Sequence, residues 1–290
     1  MTAIVPEQVT TGEPSHCPQL DAFTTNDVMG PLLQAQVQAI WPQERQIIAR
    51  YELPADPVVL DVGCGTGEFE LALAQMWPTA SIIGLDVAPK LLDIARRRTA
   101  GLGNVELRIA NGARLPFADE TFDAVFCRHV LQAIQNPAEV LEEMVRVLKP
   151  GGVLHLVPED YGMVHDSTGV RDADRLWRAG WIEAGRHTGI DLCIGRRLPS
   201  MLLRRGLRDV QANFAVIDPL RVDRELLKQL FAGWRDFAND WVAENTSMHR
   251  SELNALFTGF LAALDDPAGY VVWQVPIISA VKPAGRAIRS

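Results

Sequence analysis

The 290-residue chain has no uninterrupted apolar stretch near the ~20 residues a bilayer-spanning helix needs, so membrane insertion is not expected. It does not open with a basic segment followed by an apolar block, and no secretory signal is expected. Cysteine is scarce: Cys17, Cys64, Cys127 and Cys193 are scattered, none in C-x-x-C spacing. That pattern excludes a disulfide framework and a structural metal as expectations and fits a reducing cytoplasm. A positive excess is missing as well. Lys and Arg number 28 against 36 Asp and Glu, a net charge of −8 that argues against a nucleic-acid partner. The local exception, Arg96-Arg97-Arg98, ends a predicted helix, where cations suit the dipole. Neither a repeat nor a low-complexity tract is present.

What stands out is Leu60-Asp61-Val62-Gly63-Cys64-Gly65-Thr66-Gly67, directly after an apolar run, with Gly84-Leu85-Asp86-Val87 following one helix and one strand later. A strand, a glycine turn, a helix and a second strand ending in an acid make half of a nucleotide site. Asp86 is placed to accept from both ribose hydroxyls. The spacing is G-x-G-x-G, not the dinucleotide G-x-G-x-x-G. Asp61 and Glu68 flank the turn; two carboxylates there would repel a pyrophosphate but suit a ligand with an ammonium and a sulfonium. Both observations predict S-adenosyl-L-methionine (SAM) as cofactor, not NAD. For Glu68 the plainer reading is an acid in a first helical turn.

Residues 1–24, with Pro6, Pro14 and Pro18 among polar residues, are expected to form a flexible arm before a domain spanning 25–290. A helix from Asn26 or Asp27 to Ile40 should break at Trp41-Pro42, with a second over 43–50. Strands over 58–62, 81–86, 105–111, 122–128 and 153–157 alternate with helices over 68–76, 89–100 and 137–148. This rhythm predicts an α/β, doubly wound parallel sheet. A helix over 196–205 and strands over 209–217 and 270–281 follow. Two segments stand outside the rhythm. Residues 159–190 read as a loop and a helix; 219–268 carry two amphipathic stripes, Leu226, Leu230, Trp234, Phe237, Trp241 and Leu253, Leu256, Phe257, Phe260, Leu264. Both are expected to form a helical cap over the ligand edge.

With these motifs in order, the chain resembles the class I SAM-dependent methyltransferases of the small-molecule type related to ubiquinone and menaquinone biosynthesis enzymes. Ala110-Asn111-Gly112-Ala113-Arg114-Leu115-Pro116-Phe117 with Phe122-Asp123-Ala124-Val125, and Arg146-Val147-Leu148-Lys149-Pro150-Gly151-Gly152, add to the resemblance. It implies a Rossmann-like sheet of seven strands, the last antiparallel and inserted between the fifth and sixth. It implies cofactor contacts from Asp61, Gly63, Cys64, Gly65, Gly67, Asp86, Val87, Asn111, Gly112, Ala113 and Arg128. Asn111 departs from the family, which has Asp at that place to accept from the adenine amino group; an amide oxygen still accepts, without charge.

The resemblance also sets His129 near the transferred methyl, although such a histidine can be only a hydrogen-bonding partner. Ligands of open α/β sheets lie beyond the carboxyl ends of the strands, which makes Glu159, Asp160, Tyr161 and His165, just after the fifth strand, candidate bases. Their plainer reading is turn and cap residues. Tyr161, Trp177, Trp181, Trp234, Phe237 and Trp241 either line an apolar acceptor pocket or are core. The expected partner is a small, hydrophobic acceptor of natural-product or lipid-like type; a homo-oligomer is left open. The alternative is SAM-fold chemistry without methyl transfer, such as cyclisation or isomerisation. An RNA or protein acceptor lacks support: Cys127-Arg128-His129-Val130 stands where Asn-Pro-Pro-Tyr would.

Overall fold

The computed structural model describes residues 29–167 and 174–284. The proposed arm, 1–24, lies outside them. Helix α1 (Met29–Ile48) runs unbroken through Trp41-Pro42, where a break is expected. Pro42 deprives one turn of its backbone donor, but tertiary contacts hold the helix on both sides of it. Leu32, Ala35, Ala39 and Ile40 are buried. The Gln43 amide bonds both the Val216 carbonyl (2.9 Å) and the Val216 N–H (3.0 Å).

The alternation then unfolds much as the sequence predicts: β1 (Val58–Val62), α2 (Glu68–Met76), β2 (Ser81–Asp86), α3 (Pro89–Arg98), β3 (Val105–Ile109), β4 (Phe122–Arg128), α4 (Pro137–Val147) and β5 (Leu148–Val157). Strands β1 to β5 pair in parallel in the order β3-β2-β1-β4-β5. The order reverses between β1 and β4, and the ends of those two strands open the crevice where such sheets bind ligands.

After β5 come a single 3₁₀ turn at Tyr161–Met163, the short β6 (Val164–Asp166), a π-helical turn at Arg175–Ile182 and α5 (Glu183–Thr188). Helix α6 (Leu198–Arg204), β7 (Arg208–Ile217), α7 (Arg224–Glu244), α8 (Arg250–Ala262) and β8 (Val271–Val281) complete the chain. Strand β8 is antiparallel to both β5 and β7, so it sits between the fifth strand and the penultimate long one as the resemblance implies. Among the described residues the sheet has eight strands rather than seven: β6, read as loop from the sequence, pairs with Val271–Trp273. Three residues carry too little alternation to be legible as a strand.

Helices α7 and α8 pack on α1 and on the π-helical turn in one apolar cluster. The buried face of α7 is Leu227, Leu230, Phe231, Trp234, Ala238 and Trp241; Leu226 and Phe237 of the expected stripe are only half-buried. A helix wedged among three neighbours buries a broader face than a single seam. No described helix is long and apolar enough to cross a membrane.

Candidate functional site

A cleft opens beyond β1, β2 and β4, with about 1190 Å³ of space counted out into open solvent. Its floor is Asp61-Val62-Gly63-Cys64-Gly65-Thr66, one wall Leu85-Asp86-Val87 and Leu91, another Ala110-Asn111-Gly112 with Ile134 and Val140. Arg128, His129 and Val130 close a third side, and Met29, Leu33, Gln36 and Val37 of α1 lie across it. The turn needs glycine for space as well as for conformation. At Gly63 (φ +87°) a Cβ would sit 2.2 Å from Val130 Cγ2, which no side chain tolerates.

Asp86 accepts from Gly65 N–H (2.9 Å) and Ala88 N–H (2.8 Å), tying the turn to the second strand while its carboxylate faces the cleft. Burial raises its pKa against these backbone bonds. Asn111 folds its amide oxygen onto Ala113 N–H (2.9 Å) and lines the wall with Gly112; Ala113 and Gly67 do not reach the cleft. Asp61 is buried, and no N–H donor reaches its Oδ1. A buried carboxylate oxygen without a donor, on the floor of a cleft, fits a cationic ligand group and would repel a phosphate. The residues present therefore fit SAM.

The acids around the turn differ from the expected pair of Asp61 and Glu68. Glu68 does not add a bare carboxylate, because Arg98 of α3 pairs with it at 2.6 Å. The second acid beside Asp61 is Glu70, fully buried on the sheet-facing side of α2 against Gly84, the β2 residue that pairs with Asp61. Burial raises both carboxyls above the ordinary range, and the Asp61 charge adds to the rise at Glu70.

Arg128 lines the cleft, yet its guanidinium is committed elsewhere. It makes a bidentate pair with Glu44 of α1 (2.9 Å to each oxygen) and lies 4.5 Å over the Phe69 ring. Glu44 also takes His155 Nε2 at 3.1 Å, and His155 Nδ1 meets the Tyr51 hydroxyl at 2.6 Å. Burial alone would raise the Glu44 carboxyl; the Arg128 charge and the His155 hydrogen bond outweigh it and hold its pKa at about 2.

The five candidate catalytic residues separate cleanly. His129 sits in the left-handed region (φ 55°), anchored by its N–H on the Val157 carbonyl (2.8 Å), and lines the cleft. Its Nδ1 lies 2.8 Å from Glu159 Oε1, and both side chains are buried. Neither ring nitrogen makes a hydrogen bond to a described residue, so the Glu159 contact is one of charge and proximity. The other three are elsewhere. Asp160 is fully buried in a bidentate pair with Arg196 (2.6 and 2.5 Å) and caps the Tyr161–Met163 turn. Tyr161 is locked among Trp177, Trp181 and Trp234, ring centroids 4.9 to 5.8 Å away. His165 is exposed on β6, opposite Val272.

The aromatic residues are core rather than pocket wall. Trp177, Trp181, Trp234, Phe257 and Phe260 interlock edge-to-face, none of them reaching the cleft. Trp273 extends this cluster to within 6.1 Å of the His129 ring. Glu44, Glu70 and the α1 lining were missed from the sequence. Glu70 had a signal: it lies at i−3 and i−4 to Leu73 and Ala74, both buried, an acid on an apolar helical face. Among the described residues no cluster of His, Cys, Asp or Glu could hold a metal ion.

Residues 60–156 match a family model described as a methyltransferase domain. Over 126 residues the chain is 33% identical to the ubiquinone/menaquinone biosynthesis C-methyltransferase UbiE of Desulfotalea psychrophila, covering 43% of this chain and 50% of that one. The chain thus spans about half the length of the curated relatives it matches. Among solved structures it is similar in fold to phosphoethanolamine N-methyltransferase 2 of Haemonchus contortus, at TM-score 0.58 and 18% identity over 92% of this chain and 60% of that one. It is also similar to the [4+2]-cyclase SpnF, at TM-score 0.50 and 23% identity over 83% of this chain and 80% of that one.

Proposed function

We propose that the chain carries a class I SAM-dependent methyltransferase domain related to the quinone-biosynthesis enzymes, with SAM as its cofactor, and that it methylates a small hydrophobic acceptor. The observation that carries this reading is the meeting in one cleft of Asp61, Asp86 and His129, the last backed by Glu159. Bound there, the cofactor would supply a methyl carbon already electrophilic enough for in-line displacement. Asp61 would hold the cationic methionine end, with Gly63, Cys64 and Gly65 offering backbone. Asp86 would hold the ribose, and Val87, Asn111 and Gly112 would flank the adenine. Arg128, committed to Glu44, would shape the floor rather than grip the ligand.

His129 has the acceptor-side role. Of the candidate bases His129 alone lines the cleft, and its ring can take the proton of an acceptor hydroxyl or acidic C–H. Glu159, 2.8 Å from Nδ1, balances the imidazolium that results. Met29, Leu33, Val37, Val130, Ala133 and Ile134 give the mouth an apolar lining, suited to a lipid-like or aromatic acceptor. In this reading residues 25–290 are a single domain in the cytoplasm, where Cys64, Cys127 and Cys193 stay free thiols, and the acceptor side is closed by α1, with α7 packed behind it, rather than by residues of 159–190 or 219–268 themselves.

The test uses methyl-labelled SAM with hydroxylated hydrophobic aromatics, reduced demethylated quinones first. Label should move into the acceptor, and His129→Ala should lower the rate by roughly 10²–10⁴. S-adenosylhomocysteine (SAH) should still bind that variant within about threefold of wild type. A rearranged acceptor with the SAM left intact would favour the cyclisation reading instead.

A further inference from the structure

Asp61 and Glu70 present a problem of charge. Both side chains are buried, one on β1 and one on α2, and Glu70 Oε1 lies against Gly84, the residue of β2 that pairs with Asp61. No N–H donor reaches either Glu70 oxygen or Asp61 Oδ1. Two ionised carboxylates in that position would repel each other with nothing to offset their desolvation, so one proton must lie between them. Glu70 is the residue that keeps it: it is packed behind Asp61 against Gly84, where even a Cβ would come within 2.8 Å of its Oε1. Asp61 alone of the two faces the cleft.

The surroundings do not remove the frustration. Arg128 faces the pair from β4, but its charge is answered by Glu44 of α1, itself backed by His155 of β5. Asp86 from β2 adds a further negative charge. The Cys64 and Cys127 thiols are pushed well up by burial and stay neutral. Glu68 on the same helix is cancelled by Arg98. A second positive charge entering over Asp61 is what would let the pair ionise fully.

We propose that Glu70 and Asp61 form a one-proton reservoir that reads the charge of the ligand in the cleft: the proton leaves when the cofactor brings its ammonium and sulfonium over Asp61, and returns in part when the product, which keeps the ammonium but has a neutral thioether, replaces it. Glu70 is then a specificity-determining residue that never touches the ligand. It biases the site toward cofactor over product, and more strongly as pH rises, because proton release is greater for the first. The proposal rests on the reading of the cleft as a SAM site.

Isothermal titration calorimetry of the full chain, in buffers of different ionisation enthalpy from pH 5.5 to 8, measures the protons exchanged. Wild type should release a substantial fraction of a proton on binding SAM and measurably less on binding SAH, whose ammonium acts without a sulfonium, with the SAM-to-SAH affinity ratio rising several-fold across the range. Glu70→Gln, which keeps the shape and removes the titration, should abolish the difference in proton release and flatten the ratio; SAH titration and a thermal melt verify that it is folded. Equal proton exchange for the two ligands in wild type overturns the proposal without any variant. So does an undiminished difference in Glu70→Gln. Failure of both ligands to bind wild type would instead overturn the cofactor reading.

Discussion

Glu44→Ala is expected to destabilise the fold by about 3–5 kcal/mol, the usual consequence of stripping one partner from a buried ion pair. Glu44 is fully buried, and without it Arg128 keeps a buried charge stripped of its bidentate partner while His155 Nε2 loses its acceptor. The pH dependence gives an independent estimate. Glu44 falls from an ordinary 4.5 to about 2 in the folded state. A lowered folded pKa contributes stability that is fully present above the unfolded value and lost as pH falls through the folded one. The window is therefore 4.5 down to 2, and the shift corresponds to roughly 3 kcal/mol, in line with the first figure. Urea denaturation of wild type and variant at pH 7 and pH 3 checks both statements. The gap should be wide at pH 7 and narrow at pH 3; a loss under 1 kcal/mol at pH 7 would mean the pair is not what anchors α1. Replacing Glu44 and Arg128 together by apolar residues of similar size should destabilise far less than Glu44→Ala, because no buried charge is then left alone.

The second large effect concerns the ligand. Asp86→Ala should weaken SAH binding by about 100-fold or more, since a charge-assisted hydrogen bond is worth roughly 1.5–3 kcal/mol and the ribose offers two hydroxyls. Part of the loss would come through the protein itself. Gly65 N–H and Ala88 N–H both donate to this carboxylate, so the glycine turn loses its tie to β2. Calorimetric titration measures the change, and a thermal melt separates a local loss from unfolding. Affinity within threefold of wild type would remove Asp86 from the ribose role.

The parts of the chain that were legible as sequence are those where local pattern and tertiary role coincide. The glycine turn, Asp86 and the β/α alternation announce themselves because their spacing is dictated by backbone geometry, and β8 lies where the resemblance puts it. His129 and Glu159 stood among the candidates, but only folding brings the end of β4 against the end of β5 and separates that pair from Asp160, Tyr161 and His165. Each of those three has a partner far along the chain, such as Arg196 for Asp160, or a neighbour strand, as for His165. Pro42 shows the opposite failure. A rule that holds for an isolated helix gave way to Gln43 and Glu44, whose partners Val216 and Arg128 lie 173 and 84 residues away. Glu70 was hidden for a subtler reason: an acid near a helix start reads as solvated until its neighbours in space are known.

The central claim is that a buried acidic floor under a glycine turn makes this cleft a site for a cationic adenosyl ligand and not for a dinucleotide. Calorimetric titration of the same protein sample with SAM and with NADH tests it most directly. The account predicts saturable binding of one equivalent of SAM and no measurable heat of binding for NADH, whose pyrophosphate would face Asp61. Saturable NADH binding, with SAM giving none, would contradict it.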